Sequence, residues 1–158
     1  MAEKRLAVVT GAARGIGRAI VLELLEQGRI VAGLDINTEQ LAELEKVVKG
    51  AGHSVVTKCV DITKTDELAE VLESLASEYG GIGILVNNAG ITRDKLAMQM
   101  KDDDFDSVIN VNLRAAFMAT TTALRSMVRN KFGRIINMSS VAGVMGQALS
   151  LIHISEPT

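Results

Sequence analysis

Tryptophan is absent from this chain, and proline, cysteine and tyrosine each occur once in 158 residues. One cysteine cannot close an internal disulfide, so the fold must rest on its own core and a reducing compartment is expected. Cys59 lies in the apolar-rich run 54–60 and is expected to be a small buried hydrophobe rather than a reactive thiol. With its only proline at Pro157, the chain has no internal proline to break a helix. No stretch approaches the roughly 20 apolar residues that a membrane helix needs. Gly11 and Arg14 interrupt the first apolar run, 6–9, too early for a secretory signal. An excess of one charge is missing as well. The 17 Lys and Arg against 19 Asp and Glu leave a net charge of -2, with no basic run to follow a nucleic-acid backbone. The expectation is a cytoplasmic single domain whose partners are neither nucleic acid nor membrane, with no metal site.

What is present is an alternation of two periods. Residues 5–10, 30–35, 54–60, 82–87 and 134–138 are short runs rich in Val and Ile with little alternation, as in strands buried on both faces. Between them lie helical stretches at 16–25, 39–48, 65–79 and 103–130. Asn37 with Gln40, and Thr63 with Asp66, have the spacing of helix N-caps, and three Asp residues open the last helix. Strand and helix in strict alternation predict an α/β fold, a doubly wound parallel sheet with helices on both faces and right-handed crossovers.

The segment from Thr10 to Gly17 follows the first strand and opens the first helix. Its glycines, Gly11, Gly15 and Gly17, allow a sharp turn and let backbone come close to a pyrophosphate, which the helix N-terminus then attracts. Ala12, Ala13, Arg14 and Ile16 complete this candidate loop. Asp35 ends the second strand, where a carboxylate can accept from ribose hydroxyls and repel a 2′-phosphate. Arg14 opposes this, because a guanidinium can pair with such a phosphate. The balance favours NAD(H) over NADP(H). Asn112 shares a helical face with Val108, Ile109, Ala116, Ala119 and Ala123, so it needs a partner or a task. By residues alone, an Asn satisfied by neighbouring backbone is the simpler account. Gly11 and Asp35, and further along Asp61, Asn88 and Ser140, each fall at the carboxyl end of a predicted strand, where ligands bind in parallel sheets.

Three more segments make the pattern specific: Asp61-Ile62, Asn87-Asn88-Ala89-Gly90, and Asn137-Met138-Ser139-Ser140. With the loop at 10–17, they resemble the short-chain dehydrogenase/reductase family over residues 5–147. Within it, 88–94 and 133–146 are most similar to 3-oxoacyl-acyl-carrier-protein reductases. The resemblance implies a Rossmann-like sheet of order 3-2-1-4-5, lacking the family's sixth and seventh strands and so leaving the fifth as an exposed edge. It also implies a homodimer or homotetramer. It assigns Asp35 and Ile36, Asp61 and Ile62, and Asn88, Ala89 and Gly90 to the cofactor. Ser140 takes the place of the catalytic Ser, and Asn112 that of the Asn whose carbonyl holds a relay water. A basic cluster, Arg125, Arg129, Lys131 and Arg134, stands where such reductases dock their acidic carrier, although positive charge also suits a helix C-terminus.

The family's Tyr-x-x-x-Lys has no counterpart here. The only tyrosine, Tyr79, lies upstream, and His153 and Pro157 stand at the matching positions. Residues 149–158 resemble the translation of a transposon-end adapter, so 1–148 is expected to be a partial NAD(P)-binding domain and 149–158 a foreign, disordered tail. The expected parent activity is NAD(P)H-dependent reduction of a 3-oxoacyl-acyl-carrier-protein thioester, with these 158 residues themselves inactive. The alternatives are a dehydrogenase of another alcohol, sugar or steroid, and a non-catalytic dinucleotide-binding module.

Overall fold

The computed structural model describes residues 5–93 and 95–140. Five parallel strands form one sheet in the order β3-β2-β1-β4-β5. They are β1 (Leu6–Thr10), β2 (Ile30–Asp35), β3 (Val56–Cys59), β4 (Ile82–Asn87) and β5 (Arg134–Asn137). The helices are α1 (Gly15–Glu26), α2 (Thr38–Gly50), α3 (Thr65–Glu78), α4 (Asp102–Ile109) and α5 (Ala115–Arg129). The expected fold class is therefore the observed one.

The central strand explains the lack of alternation in its sequence. All five residues of β1 are buried, because both sides of the sheet are covered. Leu6 and Val8 pack with Leu68, Leu72 and Leu75 of α3 and Ala119, Ala123 and Met127 of α5. Ala7 and Val9 face Val21 and Leu25 of α1 and Leu44 and Val48 of α2. A strand's period of two thus sends neighbouring residues into two separate cores.

One edge strand corrects the expectation of burial on both faces: β3, at one end of the sheet, is only partly buried. At the other end β5 is the exposed edge that the resemblance implies, with Ile136 47% exposed. Cys59 is exposed rather than buried, and its thiol donates to the Ile36 carbonyl at 3.6 Å. Two helical details also differ. Asn37 does cap α2, accepting from the Gln40 N–H at 2.9 Å, but Thr63 does not cap α3; its hydroxyl donates to Asp61 Oδ1 at 2.7 Å. The single long helix at 103–130 is interrupted by a π-helical turn, Asn110–Arg114, although the segment contains neither Gly nor Pro.

Asp104, in the first turn of α4, accepts from Lys95 Nζ at 2.6 Å and from the Lys101 N–H at 3.2 Å. The hydrogen bond from Lys95, helped by that from the Lys101 backbone, holds its carboxyl below the usual aspartate value. A carboxyl lowered by folding contributes stability above its unfolded pKa and loses it as pH falls through the folded value. Lys95→Met is accordingly expected to lower stability at neutral pH and to have a smaller effect once Asp104 is protonated. Urea unfolding at both pH values checks this, and an equal loss at each would contradict the assignment.

Candidate functional site

The loop after β1 is built on backbone that only glycine adopts freely. Gly11 and Gly15 have φ of +63° and +53°, where a Cβ brings strain. Gly17 is required for a different reason. A Cβ there would lie 2.1 Å from the Gly11 carbonyl oxygen and 2.6 Å from Asn88 Nδ2, so the start of α1 rests directly on the loop. Ala12 and Ala13 are buried beneath it, with the Ala12 N–H on the Leu34 carbonyl at 3.1 Å. Arg14 precedes α1 in extended conformation, and no side chain caps the helix; its first turn carries no acidic residue. The positive end of α1 therefore presents backbone N–H groups toward the loop with no carboxylate of its own helix competing for them.

Thr10, which sequence reasoning used only as part of the motif, ties the carboxyl ends of the neighbouring strands β1 and β4 together. Its hydroxyl accepts from the N–H groups of Asn88 and Ala89, both at 3.1 Å, and donates to the Val86 carbonyl at 3.4 Å. The Asn88 amide returns the link, donating to the carbonyls of Thr10 at 3.0 Å and Gly11 at 3.1 Å. A hydroxyl at the end of a fully buried strand was the available signal, because such a group must find partners.

Asp35 does two things at the end of β2. Its Oδ2 accepts from the Ala13 N–H at 3.0 Å, which ties the loop to the strand, and its Oδ1 accepts from the Asn37 N–H at 3.1 Å. Asp61 Oδ1 likewise accepts from the Thr63 N–H at 3.0 Å, shaping the chain after β3. Gly11, Arg14, Gly15, Ile16, Asp35, Ile36, Asp61, Ile62, Asn88, Ala89 and Gly90 line one cleft of about 620 Å³. Ile16 and Ile36 are 63% and 66% exposed, apolar surfaces beside charged Asp35 and Asp61. Val60, Thr63, Ile91 and Val111 complete the wall and were missed in sequence, since nothing local places them there.

A second, adjoining cleft of about 960 Å³ shares Ile16, Asn88, Ala89, Gly90 and Ile91 with the first. It contains Asn112 and Ser140 together with Asn87, Thr120 and Asn137. Asn112 is exposed, and its amide pairs with the backbone of Ile91 in both directions, each at 2.9 Å. That is the backbone-satisfied state the residues alone favoured, and it fixes the segment after β4 against the π turn. Tyr79 is elsewhere, near the beginnings of β1 and β4, lining a third cavity with Arg5 and Phe132; the adjacent Glu78 carboxylate raises its pKa. Arg125 of the basic cluster pairs with Glu73 at 2.6 Å. The positions 149–158, with His153 and Pro157, lie outside the described residues.

The family model for short chain dehydrogenases matches residues 5–152. The 3-oxoacyl-acyl-carrier-protein reductase FabG of Thermotoga maritima is 42% identical over 144 residues, 91% of this chain and 58% of that protein. The Vibrio harveyi FabG is 41% identical over 92% of the chain and 59% of its own length. The chain thus spans less than two thirds of these relatives. Among solved structures, a metagenomic short-chain oxidoreductase in complex with NADP superposes with a TM-score of 0.89 at 32% identity, over 95% of this chain and 68% of that one. An NAD+-bound xylitol dehydrogenase gives 0.86 at 33% identity, over 92% and 56%. On its sequence and on its sheet order alike, the chain belongs to the short-chain dehydrogenase/reductase family.

Proposed function

We propose that the protein is the nucleotide-binding part of an NAD(P)-dependent oxidoreductase whose substrate is a 3-oxoacyl thioester on acyl carrier protein. The observation that carries the cofactor reading is the loop itself. The cradle that Gly17 keeps open and the uncapped N-terminus of α1 fit a pyrophosphate in size and sign. When bound, the dinucleotide supplies the hydride. Gly11 to Gly17 would hold its phosphates, and Asp35 its adenosine ribose. Ile36, Asp61 and Ile62 would border the adenine, with Asn88, Ala89 and Gly90 along the other ribose. Ser140 would hydrogen-bond the substrate oxygen, and the main chain at Asn112 would hold a water. The similarity to FabG proteins supports the substrate class.

Titration of the purified chain with NADH and NADPH tests the cofactor reading. NADH is expected to bind more tightly, because Asp35 repels a 2′-phosphate. Asp35→Asn keeps an acceptor for the Ala13 N–H and removes the charge, so the NADPH-to-NADH affinity ratio should rise by at least about tenfold, ~1.4 kcal/mol. No saturable binding of either nucleotide would remove the proposal's basis. Turnover by these 158 residues is expected to be unmeasurable. The one tyrosine lies away from Ser140, and a positioned general acid is worth about 10²–10⁴ in rate. For carrier docking, charge reversal at Arg129 and Lys131 in a full-length enzyme should weaken carrier-protein affinity. A second reading, an NAD-dependent dehydrogenase of a sugar or other alcohol, is favoured by Asp35 alone; a substrate screen with the full-length enzyme separates the two.

A further inference from the structure

A buried acceptor and a water-sized cavity adjoin behind the site. Asn87, the last residue of β4, is 7% exposed. Its Nδ2 donates to Asn137 Oδ1 at 2.8 Å and Thr120 Oγ1 at 3.2 Å. Its Oδ1 is buried and meets no donor among the described residues. Buried polar atoms are met by protein groups or by ordered water, because leaving one unmatched is costly. Thr10 and Ala89, which border the same cavity, have their donors committed elsewhere. The Thr10 hydroxyl points its hydrogen at the Val86 carbonyl, and the Ala89 N–H bonds Thr10.

The second observation is in the main chain. Within the π turn, the Ala115 N–H donates to the Asn110 carbonyl. In an α-helix that N–H would serve the Val111 carbonyl, four residues earlier. The turn therefore withdraws from Val111 its ordinary donor. Asn87, Ala89, Val111, Ala115 and Ala116 all border one small cavity. Its volume, about 10 Å³ counted as the space open to the centre of a water molecule, is what one water requires.

We propose that this cavity binds a single ordered water that donates one hydrogen to Asn87 Oδ1 and the other to the Val111 carbonyl. Water suits the place because both protein groups accept and neither donates, and a hydroxyl side chain could serve only one of them. The bridge joins the end of β4 to the π turn. Each of its ends lies one residue before a proposed site residue, Asn88 and Asn112. It is thus a positioning element: it ties the segment after β4, which both clefts share, to the π turn, whose Val111 lines the first cleft and Asn112 the second.

A high-resolution crystal structure of the 158-residue chain tests this. The expected result is a water peak within hydrogen-bond distance of both Asn87 Oδ1 and the Val111 oxygen. In solution, long-lived water should show cross-relaxation to the methyl groups of Ala89 and Ala116. Ala115→Ser introduces a hydroxyl that can bond the carbonyl four residues back, that of Val111, and should abolish both signals. An empty cavity overturns the proposal, as does an Asn87 amide turned so that its oxygen accepts from Thr120 or Asn137. Cross-relaxation unchanged in a folded Ala115→Ser variant does the same, and if that variant does not fold, the wild-type measurements alone decide.

Discussion

Gly17→Ala is expected to lower dinucleotide affinity at least about 100-fold, ~2.7 kcal/mol, and to destabilise the chain. The added Cβ would stand 2.1 Å from the Gly11 carbonyl oxygen and 2.9 Å from its carbon. These are backbone atoms, so no side chain can swing aside. Either α1 moves away from the loop or Gly11 leaves its conformation, and both displace the N–H groups that would face the pyrophosphate. Overpacking of this kind costs roughly 1–3 kcal/mol even in a core that can adjust. Gly50→Ala, in the last turn of α2, is the control, because its Cβ would meet nothing within 4 Å. It should leave affinity unchanged. Nucleotide titration with thermal unfolding reads both effects, and wild-type affinity in Gly17→Ala would refute the close-approach argument.

Thr10→Val has the largest expected effect on stability alone. Thr10 is 3% exposed, and its hydroxyl serves the Asn88 N–H, the Ala89 N–H and the Val86 carbonyl. A buried donor stripped of its acceptor costs about 1–3 kcal/mol. With two donors stranded and some relaxation, the loss should be about 2–4 kcal/mol. Thr10→Ser retains the hydroxyl and loses one methyl group, so its cost should be near 1 kcal/mol. Urea unfolding of both variants gives the comparison. Equal stability of the two would show that the hydroxyl does not carry the link between β1 and β4.

The alternation of buried strand and amphipathic helix in the sequence was enough for the α/β class, and the motifs from Gly11 to Ser140 for the family. Those are local properties: a run of Val and Ile is long enough to be a strand, and a glycine loop is read along the chain. The lining of the candidate cleft was legible where it is a short consecutive segment, as at 14–16, 35–36, 61–62 and 88–90. Cys59 was misread because burial depends on where a strand lies in the sheet, and β3 proved to be an edge. The cap expected at Thr63 failed because α3 starts one residue later, with Lys64 at the N-cap position.

Gly17 is the sharpest case of the division between the two levels. The sequence by itself determined that a glycine stands there, at the spacing of a phosphate loop. Only the tertiary structure decided what that glycine is for: contact with the Gly11 carbonyl and the Asn88 amide, the latter far along the chain. The same holds for Thr10 and Asn87, whose partners come from other strands and from α5. Patterning along the chain selects elements, because periodicity is local. Hydrogen-bond satisfaction and close approach are settled between elements, and they exist only once the sheet has brought β1, β4, β5 and the π turn together.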